Sequence, residues 1–141
     1  MLTISPIHPK PMLPEYNMPF VPAFQVEGGR ILFLSGCGPI PIYHKHPHAP
    51  AEEREWMSGG FAAQMRRTME NIEMVLRAAG GDLGNVVKLT VFLTDISLQN
   101  ELNDAVFSYF GHENPPPRTL VEVSALSHAD MLIEIDAIAA L

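Results

Sequence analysis

Residues 70–97, ENIEMVLRAAGGDLGNVVKLTVFLTDIS, carry the chain out of a helix, through a glycine stop, along a strand and into a cap. Upstream, from Gly60, the residues Phe61, Met65, Met69, Ile72, Leu76 and Ala79 recur at steps of three or four, while Gln64, Arg67, Glu70 and Arg77 fall largely elsewhere. That spacing predicts an amphipathic helix with one apolar face. Gly80-Gly81 ends it, because glycine accepts the left-handed conformation that closes a helix. VVKLTVFLT at 86–94 alternates and is β-branched, putting Val87, Leu89, Val91 and Leu93 on one face. Its other face is nearly as apolar, which predicts a central strand. Asp95 or Ser97 then caps a second helix striped by Leu98, Leu102, Val106 and Tyr109 or Phe110, and Gly111 stops it.

Working outward, two further strands are expected at 119–125 and 131–139. Phe24 to Glu27 and Arg30 to Ser35, separated by Gly28-Gly29, read as a hairpin. Thirteen prolines cluster at 6–22, 39–50 and 115–117. They predict an extended N-terminal arm over 1–22 and an irregular Pro/His-rich loop over 39–57, a length that points to a functional or mobile segment. Hairpin, helix, strand, helix and two strands give an α+β fold: a mixed β-sheet with two helices packed on one face. At 141 residues, 47% of them hydrophobic, the chain reads as a single domain spanning 1–141.

A formal charge of −7 repels a phosphate backbone, so nucleic acid is not the expected partner. The single cysteine, Cys37, leaves no intramolecular disulfide and fits a reducing cytoplasm. The first residues lack the basic-then-apolar order of a signal peptide, and no apolar run approaches the roughly 20 residues of a membrane span. A soluble, cytoplasmic protein without a membrane partner is the expectation.

In PPPRTLVEV at 115–123, three prolines make a stiff approach to Arg118 at the mouth of a strand. A guanidinium so placed suits a bidentate grip on a carboxylate or phosphate, and is equally an ordinary solvated arginine. The last strand, MLIEIDAIA, sends Met131, Ile133, Ile135, Ala137 and Ala139 to the core and Leu132, Glu134, Asp136 and Ile138 to the opposite face. Acids on that face need water, a cation or a cleft; in a cleft, Glu134 would orient a water or exchange a proton. His44, His46 and His48 in IYHKHPHAP form an imidazole cluster, yet the spacing matches no zinc signature and no acid stands at a motif-like distance. A solvated loop is the expectation, and no metal is assigned. Cys37 reads as a buried, inert thiol. Nucleotide-binding glycine loops and serine-hydrolase elbows are absent.

SGCGPIP at 35–41, the 70–97 stretch, LND at 102–104, YF at 109–110, PPPRTLVEV at 115–123 and IEIDAIA at 133–139 together resemble, in order and spacing, the RidA (YjgF) family of reactive-intermediate deaminases. The resemblance runs from about residue 24 to the end. It implies a chorismate-mutase-like fold, a homotrimer, and inter-subunit clefts that hydrolyse enamine or imine acids to 2-oxo acids and ammonia, with no cofactor. By position it makes Arg118 the grip on the substrate carboxylate and Glu134 the acid that places the attacking water. Thr119 and Leu120 supply strand backbone near the substrate nitrogen, and Asn103 matches a recurring structural asparagine. The family's N-terminal aromatic falls near Pro22, flanked by Phe20 and Phe24, and Cys37 replaces the usual glutamine, so Phe20, Phe24 and Cys37 are the expected pocket walls. Two other readings stand beside the deaminase: a non-catalytic or chaperone-like module that captures a small carboxylate, and, disfavoured by the acidic balance, an endoribonuclease.

Overall fold

The central strand runs from Val86 to Leu93. Numbered in chain order, the computed structural model, which describes residues 1–141, contains strands β1 (Thr3–Ile7), β2 (Ala23–Glu27) and β3 (Ile31–Phe33), helices α1 (Pro50–Met57) and α2 (Gly60–Ala78), strand β4 (Val86–Leu93), helix α3 (Gln99–Phe110), and strands β5 (Arg118–Glu122) and β6 (Ile133–Ala140). Four strands form a mixed sheet in the order β3-β6-β4-β5: β4 is antiparallel to β6 and parallel to β5, and β3 is antiparallel to β6. No helix is long and apolar enough to cross a membrane.

Helix α2 buries Phe61, Met65, Met69, Ile72 and Leu76, the face expected from the spacing. It closes where Gly80 takes a φ of 88° and the Gly81 N–H donates to the Leu76 carbonyl at 2.9 Å, a left-handed cap that satisfies the last carbonyls. Its stripe meets Leu102 and Val106 of α3 and the inner sheet face of Leu89, Val91, Leu93, Ile133, Ile135, Ala137 and Ala139. Asp95 caps the 3-10 turn Ile96–Leu98 that leads into α3, accepting from the Ser97 N–H.

Four expectations are corrected. First, β2 does not pair with β3. It pairs with β1 from the N-terminal arm, Ile4 opposite Val26, in a separate two-stranded sheet, while Phe33 of β3 lies opposite Ile138 of β6. Gly28 and Gly29 both have positive φ and turn the chain from one sheet into the other. A Cβ on Gly28 would overlap the Met1 carbonyl oxygen, so the returning arm occupies the edge that a β2–β3 hairpin would use. Second, the expected arm is therefore partly a strand. Third, the 39–57 loop is not wholly irregular: Pro50 sits in the first turn of α1, where its missing N–H costs nothing, so α1 makes a third helix beside the two expected. Fourth, the register slips between Val86 and Lys88, so that Val86 rather than Val87 joins the core. Such a bulge inserts one residue and flips the alternation beyond it.

Gln64, which the spacing set largely off the apolar face, is instead only 1% exposed and ties these parts together. Its amide donates to the carbonyls of Met57 and Asp130 and accepts from the Leu132 N–H at 2.7 Å, joining the end of α1 and the start of β6 to α2.

Candidate active site

Strand alternation decides where the two candidate groups point. Arg118 is the register partner of Leu89, on the helix-facing side of the sheet, whereas Glu134 lies opposite Phe92, on the other side. Three residues along and two strands across separate their Cα atoms by roughly 14 Å. Within one chain, Arg118 and Glu134 thus occupy different surroundings.

The three prolines deliver Arg118 rigidly: the Pro115 carbonyl accepts from the Val21 N–H at 2.8 Å and the Pro117 carbonyl from the Leu89 N–H at 3.0 Å. Nη2 donates to Oδ1 of Asn103 on α3 at 2.5 Å, and the Phe20 ring lies 5.8 Å from the guanidinium carbon. Nη1 is buried with no hydrogen-bond partner. Burial lowers the pKa of the group from its ordinary value, yet an arginine keeps its proton at any working pH. A held, partly desolvated cation with an orphaned donor is an anion site in waiting.

Glu134 sits across from the Ser35–Gly38 segment, which bridges to β6 through reciprocal backbone bonds of 2.8 Å between Cys37 and Ile135. A Cβ on Gly36 would collide with Glu134 Oε1, so the carboxylate lies directly over the glycine backbone. Cys37 is buried, its Sγ near the Ser35 carbonyl at 3.5 Å. Burial, followed by the charges of Glu134 and Asp136, pushes its thiol pKa up, which leaves it protonated and unreactive.

Glu134, Cys37 and Gly36 line a cavity of about 670 Å³ whose far wall is the 39–57 segment with His44, His46 and His48. Asn71 of α2 holds that segment in place, donating to the Gly38 and Ile40 carbonyls at 2.9 Å. Contrary to the sequence expectation, an acid does contact the histidines. Glu53 of α1 accepts from His48 Nδ1 at 2.8 Å through Oε1 and from His128 Nε2 at 3.2 Å through Oε2. The hydrogen bond from His48, the larger cause, lowers the Glu53 pKa below the usual carboxylate range.

The other expected contacts divide. Phe20 stands at Arg118, but Phe24 lines a separate small hollow with Tyr109 and Phe110. Thr119 accepts from Lys88 Nζ at 3.1 Å on the open sheet face, and Leu120 packs against the core. β5 is an edge strand, so part of its backbone is unpaired within the chain.

A family model described as Endoribonuclease L-PSP matches residues 13–141. The chain belongs to the RidA (YjgF) family. It is 40% identical over 126 residues to Protein DfrA of Myxococcus xanthus, covering 89% of this chain and 88% of that one. It is 34% identical over 116 residues to the 2-iminobutanoate/2-iminopropanoate deaminase of Escherichia coli K12, covering 81% and 82%. The crystal structure of YyfA, a Rid family protein of unknown function from Yersinia pestis, aligns with a TM-score of 0.66 at 30% identity, covering 99% of this chain and 100% of that one. The mixed α+β architecture is thus that of Rid proteins.

Four residues of this RidA chain's candidate site have no role assigned by the sequence: Gly36 and Asn71 lie inside SGCGPIP and the 70–97 stretch without a signal of their own, and Glu53 and His128 lie outside both. Glu53 lies five residues after His48, a local spacing that could signal it, but an acid-rich stretch reads as solvated surface. His128 is 75 positions from Glu53, and no local pattern links them.

Proposed function

We propose that the protein hydrolyses 2-imino acids and their enamine tautomers to 2-oxo acids and ammonia, at sites completed between the protomers of a homotrimer. The observation that carries this reading is the Arg118 guanidinium, with one nitrogen held by Asn103 and the other buried without a partner. A substrate carboxylate supplies that missing partner as a charge-assisted bond. The deaminase name of the Escherichia coli relative supports the reaction class.

Glu134 is the base. It takes a proton from water as the oxygen attacks the imine carbon and the C=N electron pair moves to nitrogen. It returns the proton to nitrogen; the C–N bond then breaks as the C=O bond forms and Glu134 takes the remaining hydroxyl proton, releasing ammonia and the 2-oxo acid. An enamine first gains a proton at its β-carbon to reach the same imine. Because a protonated imine is already electrophilic, positioning and proton relay suffice, and no cofactor takes part.

The two groups face opposite sides of one sheet. Arg118 of one protomer therefore works with Glu134 of another. Phe33 is 75% exposed, and its exposure with that of Ile31 and Val121 supports an association through the open sheet side. A net charge of −7 disfavours RNA as substrate. A reducing cytoplasm suits the single, protonated thiol.

The test follows 2-oxo acid and ammonia released when an amino-acid oxidase generates 2-imino acids from several amino acids. Arg118→Ala is expected to lower kcat/KM by about 10- to 150-fold, the worth of a charged hydrogen bond. Glu134→Gln is expected to lower kcat by roughly 10²- to 10⁴-fold. No turnover by the wild type on any imine, with a 2-oxo acid still bound at Arg118, would convert the reading to a carboxylate-binding module.

A further inference from the structure

The three histidines of the 39–57 segment are not scattered over solvent. Their ring centroids form a nearly equilateral triangle with sides of 4.7, 4.7 and 4.8 Å. One ligand-capable nitrogen from each lies within 4.8 Å of the other two. Trp56 of α1 backs the group, its ring centroid 5.6 Å from His44 and 5.2 Å from His48.

On two of the three, a hydrogen bond decides which nitrogen keeps its lone pair. His44 Nδ1 is 2.7 Å from the Pro41 carbonyl, which only accepts, so Nδ1 carries the proton and Nε2 keeps its lone pair. His48 Nδ1 donates in the same way to Glu53, leaving Nε2, which is buried with no partner. Carbonyl and carboxylate acceptors behind imidazoles are the arrangement that orients histidines on a metal and raises their basicity. Glu53 is itself held: its second oxygen accepts from His128 Nε2, whose Nδ1 in turn accepts from the Asp130 N–H at 3.1 Å.

We propose that His44, His46 and His48 bind a divalent borderline-soft metal ion, with Zn²⁺ the best match, through three imidazole nitrogens. Three neutral nitrogen ligands suit zinc, nickel or cobalt and do not suit the oxygen-seeking magnesium or calcium. Tetrahedral zinc with bonds of about 2.1 Å puts its ligand nitrogens about 3.4 Å apart, so the triangle tightens by at most about 1.4 Å on binding. Both Glu53 oxygens are engaged by histidines. The fourth position is therefore left to water or a ligand, in the cavity that Glu134 also lines. The site stands independently of the deaminase reading, since neither Arg118 nor Glu134 is a ligand.

Tag-free, full-length protein stripped with a chelator is titrated with ZnCl₂ alone, with bound metal counted by elemental analysis and CoCl₂ used in parallel for its visible spectrum. One ion per chain and four-coordinate cobalt bands are expected. His46→Gln and His48→Gln should each weaken binding more than about 100-fold, and Glu53→Gln by about 10- to 100-fold, the usual effect of removing a ligand's supporting acceptor. Metal-free circular dichroism checks that the variants fold. In the wild type, zinc should protect three histidines from acylation by diethyl pyrocarbonate, a readout that needs no variant. Absence of stoichiometric binding, binding that survives both histidine substitutions, or acylation unaffected by zinc would overturn the proposal.

Discussion

At the scale of single residues, Gly36 shows how closely the site is built. Only hydrogen fits where a side chain would run into Glu134 Oε1. The atom in the way is the free end of a side chain rather than backbone, so Gly36→Ala moves the carboxylate and spares the fold. We expect kcat/KM on a 2-imino acid to fall by about 10- to 100-fold, in line with the cost of misplacing a catalytic group by an ångström. The melting temperature should stay within a few degrees of wild type. An unchanged rate would mean that the carboxylate need not rest on residue 36. Arg118 and Glu134 draw attention in the sequence, but a triple proline and an acid on a strand fit ordinary surface equally well, and their proposed roles come from the family resemblance. Gly36 draws none, since its role depends on which face of a distant strand crosses above it.

At the scale of elements, both longer helices and the core-facing strands follow from periodicity, because period and burial are the same information for a segment with one apolar side. The failures share another cause. Whether β2 pairs with β1 or β3 is settled by contacts between segments far apart in sequence, and Gly28-Gly29 serves either outcome. The Val86/Lys88 bulge likewise leaves no mark in composition. Gln64 belongs here, a polar residue inside an apolar stripe, whose three bonds join α1, α2 and the entrance of β6. Gln64→Leu keeps the helix and fills the volume but leaves two carbonyls and one N–H without partners. At about 1–3 kcal/mol for each buried group, softened by water, the expected loss is about 3 kcal/mol. Urea unfolding should show it as a lower midpoint at unchanged slope. A loss below about 0.5 kcal/mol would place the tie elsewhere.

For the whole molecule, one sheet with its candidate cation on one side and its candidate base on the other yields a sharp expectation. If each site takes Arg118 from one protomer and Glu134 from the next, two impaired variants must complement each other. An Arg118→Ala chain still contributes a sound Glu134, and a Glu134→Gln chain a sound Arg118. Each parental trimer lacks a complete site everywhere. Around a ring of three that holds both kinds of chain, a sound Arg118 is followed by a sound Glu134 at one junction, whichever kind is in excess. Mixed trimers should therefore regain about a third of wild-type activity. The chains are co-expressed with different tags, and trimers carrying both are isolated before assay. Mixing after purification, without subunit exchange, serves as the control and should show no more than the average of the two parents. Activity no greater than that of the parents would place both groups in a site supplied by a single chain, which the register of β4 with β5 and β6 opposes.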